Sequence, residues 1–350
     1  MKALAKDIVF VGIGGCGTNI AFMFEKAGYT AIHINSSEQD ESAIKGAKII
    51  KHLKGFNGCA GDRRLAAKAM AKNIEIVDEL LEVEEEFIFL VWGAGGGTGS
   101  GIAPVLASML CEELEEQKKK KTVCGICVLP DKDEDLGFHE NAYNCCKELL
   151  EIDELGCVMF LDNNYNPKKL AINDKACSLF HSFISNNSVS AIGNVEEEEK
   201  RTILRSHGNM VVCNLAGDKA NTEKVVEVVT TDNIFAPLQQ DGIVEYIAVI
   251  NSDNKELKKD MLTSVFGVPK RTFTGYGSKN TIVVASGLNY PFQHVKKLAE
   301  LAKEKNRERL MGRRDSGSIL EELQLEGVQK QEPAPKKKKS RRDLLMELND

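Results

Sequence analysis

No run of about 18 apolar residues occurs in this 350-residue sequence, so no membrane-crossing helix is expected. The longest apolar stretches, such as Ile88–Trp92 and Ile282–Ala285, have the length of buried strands. Met1–Asp7 is too short and polar for a secretory leader, which points to a cytoplasmic protein with no membrane partner. No Gly-Lys-Ser/Thr occurs, so neither glycine-rich turn is a Walker loop. Cys124-Gly-Ile-Cys127 has metal spacing, but no second pair at zinc-ribbon spacing follows it. The ten cysteines are therefore expected to be reduced and mostly buried, with no metal held by the protein itself. No internal repeat is visible. Positive charge is scarce outside one place: the net charge is −6, yet Lys336–Arg342 alone carries six cations, leaving −12 elsewhere. An acidic body argues against a nucleic-acid groove on the globular part.

What is present is a soluble composition, 42% hydrophobic and 28% charged, with a length of about two domains. Up to residue 165, strand and helix patterns alternate, the signature of a parallel α/β sheet. Ile8–Val11, Ala31–Ile34, Phe87–Trp92, Thr122–Leu129 and Val158–Leu161 read as strands. Asp62 can cap a long amphipathic helix carrying Leu65, Ala69, Ile76 and Leu80. Asn173–Val189 reads as one helix, and strands are expected at Met210–Leu215, Glu245–Asn251 and Asn280–Gly287, with a weaker one around Arg271–Gly277. A charged helical pattern runs from Pro291 to about Met311. A Pro-tethered basic tail follows.

Two glycine-rich turns each lead from a buried strand into a helix. Glycines let the backbone approach phosphate oxygens, and the helix that follows offers free N–H groups and a positive dipole end. Gly12-Ile13-Gly14-Gly15-Cys16-Gly17 fits the dinucleotide fingerprint, with Glu38 as a ribose-binding acid, so a nicotinamide or flavin oxidoreductase is an alternative. The second turn, Gly95-Gly96-Gly97-Thr98-Gly99-Ser100-Gly101, has five glycines in seven residues with hydroxyls between them. Two adjacent anion cradles favour a nucleoside di- or triphosphate.

That Gly-Gly-Gly-Thr-Gly-Ser-Gly run after a strand resembles the tubulin/FtsZ superfamily, over roughly residues 6–290. The resemblance implies a GTPase of α/β class. A parallel-sheet nucleotide domain (1–170) would be joined by a central helix (171–192) to a smaller α/β activation domain (193–290). A long C-terminal helix (291–312) and a flexible tail (313–350) would follow. It implies that GTP or GDP is held by Gly14, Gly15, Cys16 and Asn19 in a first loop, Asn35 in a second and Gly61 in a third. A fourth loop would contribute Gly95, Gly96, Gly97, Thr98, Gly99 and Ser100. Glu134, with Glu140 as second choice, would meet the ribose; Asn163 would stand as the family's sixth-loop asparagine, and Asn173, opening the central helix, would read the guanine. Mg²⁺ would be held mainly by phosphates and water. Asn194-Val195-Glu196-Glu197-Glu198-Glu199 resembles the family's catalytic loop, making Glu196 and Glu199 the acids that act on the next subunit's nucleotide in a head-to-tail filament. The divergent third loop departs from FtsZ, and the long charged helix after Pro291 with its basic tail resembles the TubZ group, which partitions plasmid or phage DNA through a DNA-bound adaptor of the TubR type on a centromere-like site. A phage spindle tubulin of the PhuZ kind and a cell-division FtsZ are the alternatives.

Overall fold

The computed structural model describes residues 3–239, 242–252 and 256–315. Its strands are β1 (Ile8–Ile13), β2 (Thr30–Asn35), β3 (Ile50–His52), β4 (Phe87–Gly93), β5 (Thr122–Leu129), β6 (Cys157–Asp162), β7 (Gly208–Ala216), β8 (Tyr246–Ser252), β9 (Arg271–Ser278) and β10 (Asn280–Leu288). They form one sheet in the order β3-β2-β1-β4-β5-β6-β7-β10-β8-β9. Pairing is parallel from β3 to β7, and β10 runs antiparallel to both β7 and β8. Only Cys157↔Gly208 and Val158↔Asn209 join β6 to β7, so a two-residue ladder links the parallel part to the rest.

The parallel strands are apolar throughout because helices cover both faces. Alternate residues go to opposite cores. Phe10, Phe89 and Ile126 pack with the helices Gly14–Lys26 and Lys169–Ile184, where Phe10, Phe24 and Phe180 form a ring cluster. Val11, Leu90 and Cys127 pack with the helices Thr98–Glu116 and Leu136–Leu149 on the other side. All ten cysteines are free thiols, nine of them buried. Trp92 Nε1 donates to Cys145 Sγ at 3.3 Å, which uses one of the adjacent thiols in the core.

Three helices differ from the sequence expectation. Asp62 does cap its helix, accepting from the Arg64 and Leu65 amides, but the helix stops at Ala71 and a second begins at Glu75. The cause is Asn73, whose Nδ2 donates to Ala69 O at 2.8 Å while its Oδ1 accepts from Lys54 N at 2.9 Å. The side chain thus pins the break to the β3 loop. The central helix spans Lys169–Ile184, so Asn173 lies in its second turn and does not open it. The C-terminal helix runs Phe292–Asp315, exposed from Arg307 to Met311. The expected basic tail, including Lys336–Arg342, lies outside the described residues.

Candidate nucleotide-binding cleft

The carboxyl ends of β1, β4, β5 and β6 release four loops at one edge of the sheet, around a cleft of about 350 Å³. Gly14, Gly15 and Cys16 line it from one side, Gly95, Gly96, Gly97, Thr98 and Gly99 from another. Two helices begin there, Gly14–Lys26 and Thr98–Glu116, and neither has a side-chain cap; their N-cap residues are Ile13 and Gly97. Elsewhere Ser37, Asp62 and Asn221 cap helices with their side chains. First-turn amides without a cap, at two positive dipole ends, favour an anion between them.

The glycines have different work to do. Gly14 has φ +69°, which a side chain rarely adopts. A Cβ on Gly99 would lie 3.0 Å from Gly93 O and 3.1 Å from Ile13 O, so this glycine lets the two loops touch. One on Gly97 would meet Gly61 C at 2.8 Å, which places Gly61 behind the cleft as a support. One on Gly96 would have nothing within 4 Å. Its missing side chain leaves open space on the cleft wall.

Side chains complete the walls. Thr98 Oγ1 lies 3.3 Å from the buried Ser36 hydroxyl. Asn163 lines the cleft and is 9% exposed, and its Oδ1 has no hydrogen-bond partner among the described residues. Such an acceptor is costly unless a ligand donates to it, and an N–H-bearing base edge would. Glu134 lines the cleft and pairs with Lys169. Burial, then the charge of Glu134, push the Cys16 thiol up to about 12, with Lys169 opposing, so Cys16 is an inert thiol there.

Other expected site residues lie outside the lining. Ser100 is fully buried; its hydroxyl donates to Gly96 O and its carbonyl accepts from Arg63 Nη2 at 2.9 Å. Asn35 is spent on its own turn, with Oδ1 accepting from Ser36 N at 2.8 Å. Asn19 is not among the lining residues, and Asn173 is buried one turn along the helix from Lys169. Glu140 opens on a separate groove with Tyr143, Lys296 and Lys303 of the C-terminal helix side. Conversely, Asp40, Phe138 and Lys169 line the cleft unforeseen. Asn141 Nδ2 donates to Gly61 O at 2.9 Å and Gly95 O at 3.0 Å, tying the third loop to the fourth. Phe138 and Asn141 are three residues apart, one face of a helix, a signal the sequence did carry.

Glu196 and Glu199 are not in the cleft. They start the helix Glu197–Arg205, where Glu196 N donates to Glu199 Oε2 at 2.9 Å in a capping box. That helix is fastened to the amino ends of the strands: Arg201 binds Asp7 and Glu86, and Arg205 binds Glu86 at 2.5 Å. Asp7 and Glu86 immediately precede β1 and β4, whose other ends feed the cleft. At roughly 3.3 Å per residue, these strands put about 20 Å between the acid turn and the cleft of the same chain.

Residues 7–168 match the model of the Tubulin/FtsZ family, GTPase domain. The chain takes the tubulin/FtsZ fold, a mostly parallel α/β sheet with a long C-terminal helix. Among individual relatives, it is 28% identical to the tubulin-like protein TubZ of Clostridium botulinum C phage over 314 residues, 87% of this chain and 86% of that protein. The crystal structure of Clostridium botulinum phage c-st TubZ superimposes with a TM-score of 0.78 at 26% identity, covering 87% of this chain and all of that one. The tubulin-like protein CetZ of Pyrococcus horikoshii is 28% identical over 240 residues, 62% of each chain. A GTPγS-form protofilament of Bacillus thuringiensis serovar israelensis TubZ shares the fold, with a TM-score of 0.70 at 16% identity, over 89% of this chain and 92% of that one.

Proposed function

We propose that this chain binds GTP and GDP in the cleft, hydrolyses GTP within a head-to-tail polymer, and uses that polymer to partition plasmid or phage DNA. One observation carries the reading: two uncapped helix ends converge on a cleft at one edge of the sheet, while the acid turn sits at the opposite edge. Stacked head to tail, one subunit's acid turn meets the next subunit's cleft. The glycine walls and the unpartnered Asn163 Oδ1 fit a nucleotide, with phosphates at Gly14–Cys16 and Gly96–Gly99 and the base toward Asn163. Among the described residues no cluster of three or more His, Cys, Asp or Glu could hold a metal. In this reading Mg²⁺ binds mainly to phosphates and water, where it offsets their charge. Glu196 and Glu199 of the adjacent subunit orient the attacking water, and loop amides stabilise the charge that develops.

The similarity to TubZ over most of both chains supports DNA partition over cell division. In this reading the tail beyond residue 331 couples the polymer to DNA. Six cations in Lys336–Arg342 meet an adaptor–DNA complex electrostatically, and Leu344, Leu345, Met346 and Leu348 fix the contact. Six cations alone would give weak, strongly salt-dependent DNA binding. The test is co-sedimentation of full-length chain and a 1–331 truncation with GTP, labelled centromere-like DNA and its adaptor. Both should pellet with GTP and not with GDP, and only the full chain should carry DNA down. Equal DNA in both pellets would put the coupling surface on the body. No GTP-dependent pellet at all would sink the polymer reading.

A further inference from the structure

We infer that Lys169 is a charge-setting residue of the nucleotide site, neutralising Glu134 so that the cleft accepts a polyanion; this rests on the GTP reading above. Among the described residues lining the cleft, the charged side chains are Asp40, Glu134 and Lys169, two anions and one cation. A cleft meant for phosphates is thus net negative apart from its backbone dipoles. Lys169 Nζ bonds Glu134 Oε1, across from the loop after β5 to the start of the central helix. The pair sits at the rim, with Glu134 more enclosed (21% exposed) than Lys169 (48%). An unneutralised carboxylate half-enclosed there would repel every phosphate that approached.

Helix stability does not explain a lysine at this place. Lys169 is the first residue of the helix Lys169–Ile184, and Lys168 is its N-cap. The dipole there favours an acid, so a cation weakens the helix start. Cys16 gives a second sign of position: the fields of Glu134 and Lys169 both act on its thiol, in opposite directions. The pair therefore stands beside the first-turn amides of the helix Gly14–Lys26, where a phosphate would be held.

If the ion pair were only a surface contact, its loss would be nearly neutral. The experiment titrates the full chain with fluorescent GDP, and with GTP and uncharged guanosine as competitors. It uses the wild type, Lys169→Met, Lys169→Arg, Glu134→Gln and the double variant, each checked by thermal melting. Lys169→Met should weaken GDP about tenfold and GTP further, leaving guanosine unchanged. Lys169→Arg should bind like the wild type, because it keeps the charge. In the Glu134→Gln background, Lys169→Met should change GDP affinity by less than about threefold, since the charge it offset is gone. Unchanged GDP binding by Lys169→Met would overturn the role, as would an equal loss for guanosine and GDP. A wild type that binds no GDP would instead overturn the cleft reading beneath it.

Discussion

Gly96 and Gly99 are three residues apart in one loop, but substitution acts on them for different reasons. A methyl on Gly99 meets two backbone carbonyls that cannot yield, so Gly99→Ala should destabilise the fold by about 1–3 kcal/mol. A methyl on Gly96 meets nothing, so Gly96→Ala should melt like the wild type yet bind GDP more weakly, on the order of tenfold, because it fills ligand space. Thermal melting beside nucleotide titration separates the two. His139 supports a pH prediction. It is 1% exposed, neither ring nitrogen has a hydrogen-bond partner among the described residues, and burial holds its pKa below the ordinary histidine value of 6.5. The unfolded chain then takes up a proton that the folded chain refuses, so stability is full above about pH 6.5 and falls as pH drops below it. His139→Leu should therefore gain on the wild type between pH 7.5 and pH 5.5, by at most about 1.4 kcal/mol per pH unit, in denaturant unfolding. A difference independent of pH would mean that His139 finds a partner when charged. At this scale the sequence showed the glycines, because their spacing is local. It hid Lys169, whose role depends on loops that meet only after folding.

The helix Glu197–Arg205 carries two roles in the same residues. Glu199 closes the capping box on Glu196 N, and it is also a proposed acid for the neighbouring subunit's nucleotide. Glutamine can keep the box but not the charge. Glu199→Gln should thus unfold within about 0.5 kcal/mol of the wild type, whereas Glu199→Ala should lose about 0.5–2 kcal/mol. Both should assemble with GTP and hydrolyse it slowly, as read by phosphate release and by the lifetime of pelleted polymer. Normal hydrolysis by both variants would leave Glu199 with the cap alone. Elements as such were largely legible: buried strands and amphipathic helices follow from periodicity, and even the weak Arg271–Gly277 pattern is strand β9. The errors were at ends and breaks. Periodicity carries straight through Lys72–Ile74, and only the bonds of Asn73 to Ala69 and to the distant Lys54 explain the break. The central helix starts four residues before Asn173, at lysines that give no conventional start signal.

At the scale of the whole molecule, the cleft and the acid turn are separated by about the length of a strand. Arg201 and Arg205 hold the acid turn at the amino ends of β1 and β4, and the cleft opens at their carboxyl ends. The C-terminal helix touches the cleft side of this arrangement. His294 Nε2 lies 2.9 Å from Asp162 beside Asn163, and Lys305 lies 3.0 Å from Asp133 in the loop that bears Glu134. The C-terminal helix is thereby tied to two of the loops that border the cleft. The central claim is that one chain holds half of its catalytic site and borrows the other half. The most direct test is GTP turnover per molecule, measured from dilute protein to well above the assembly threshold. Turnover per molecule should be close to zero when dilute, rise steeply as subunits meet, and level off once nearly all are in polymer. A turnover that stays constant across the whole range would show that a single chain hydrolyses GTP unaided, and would contradict the account.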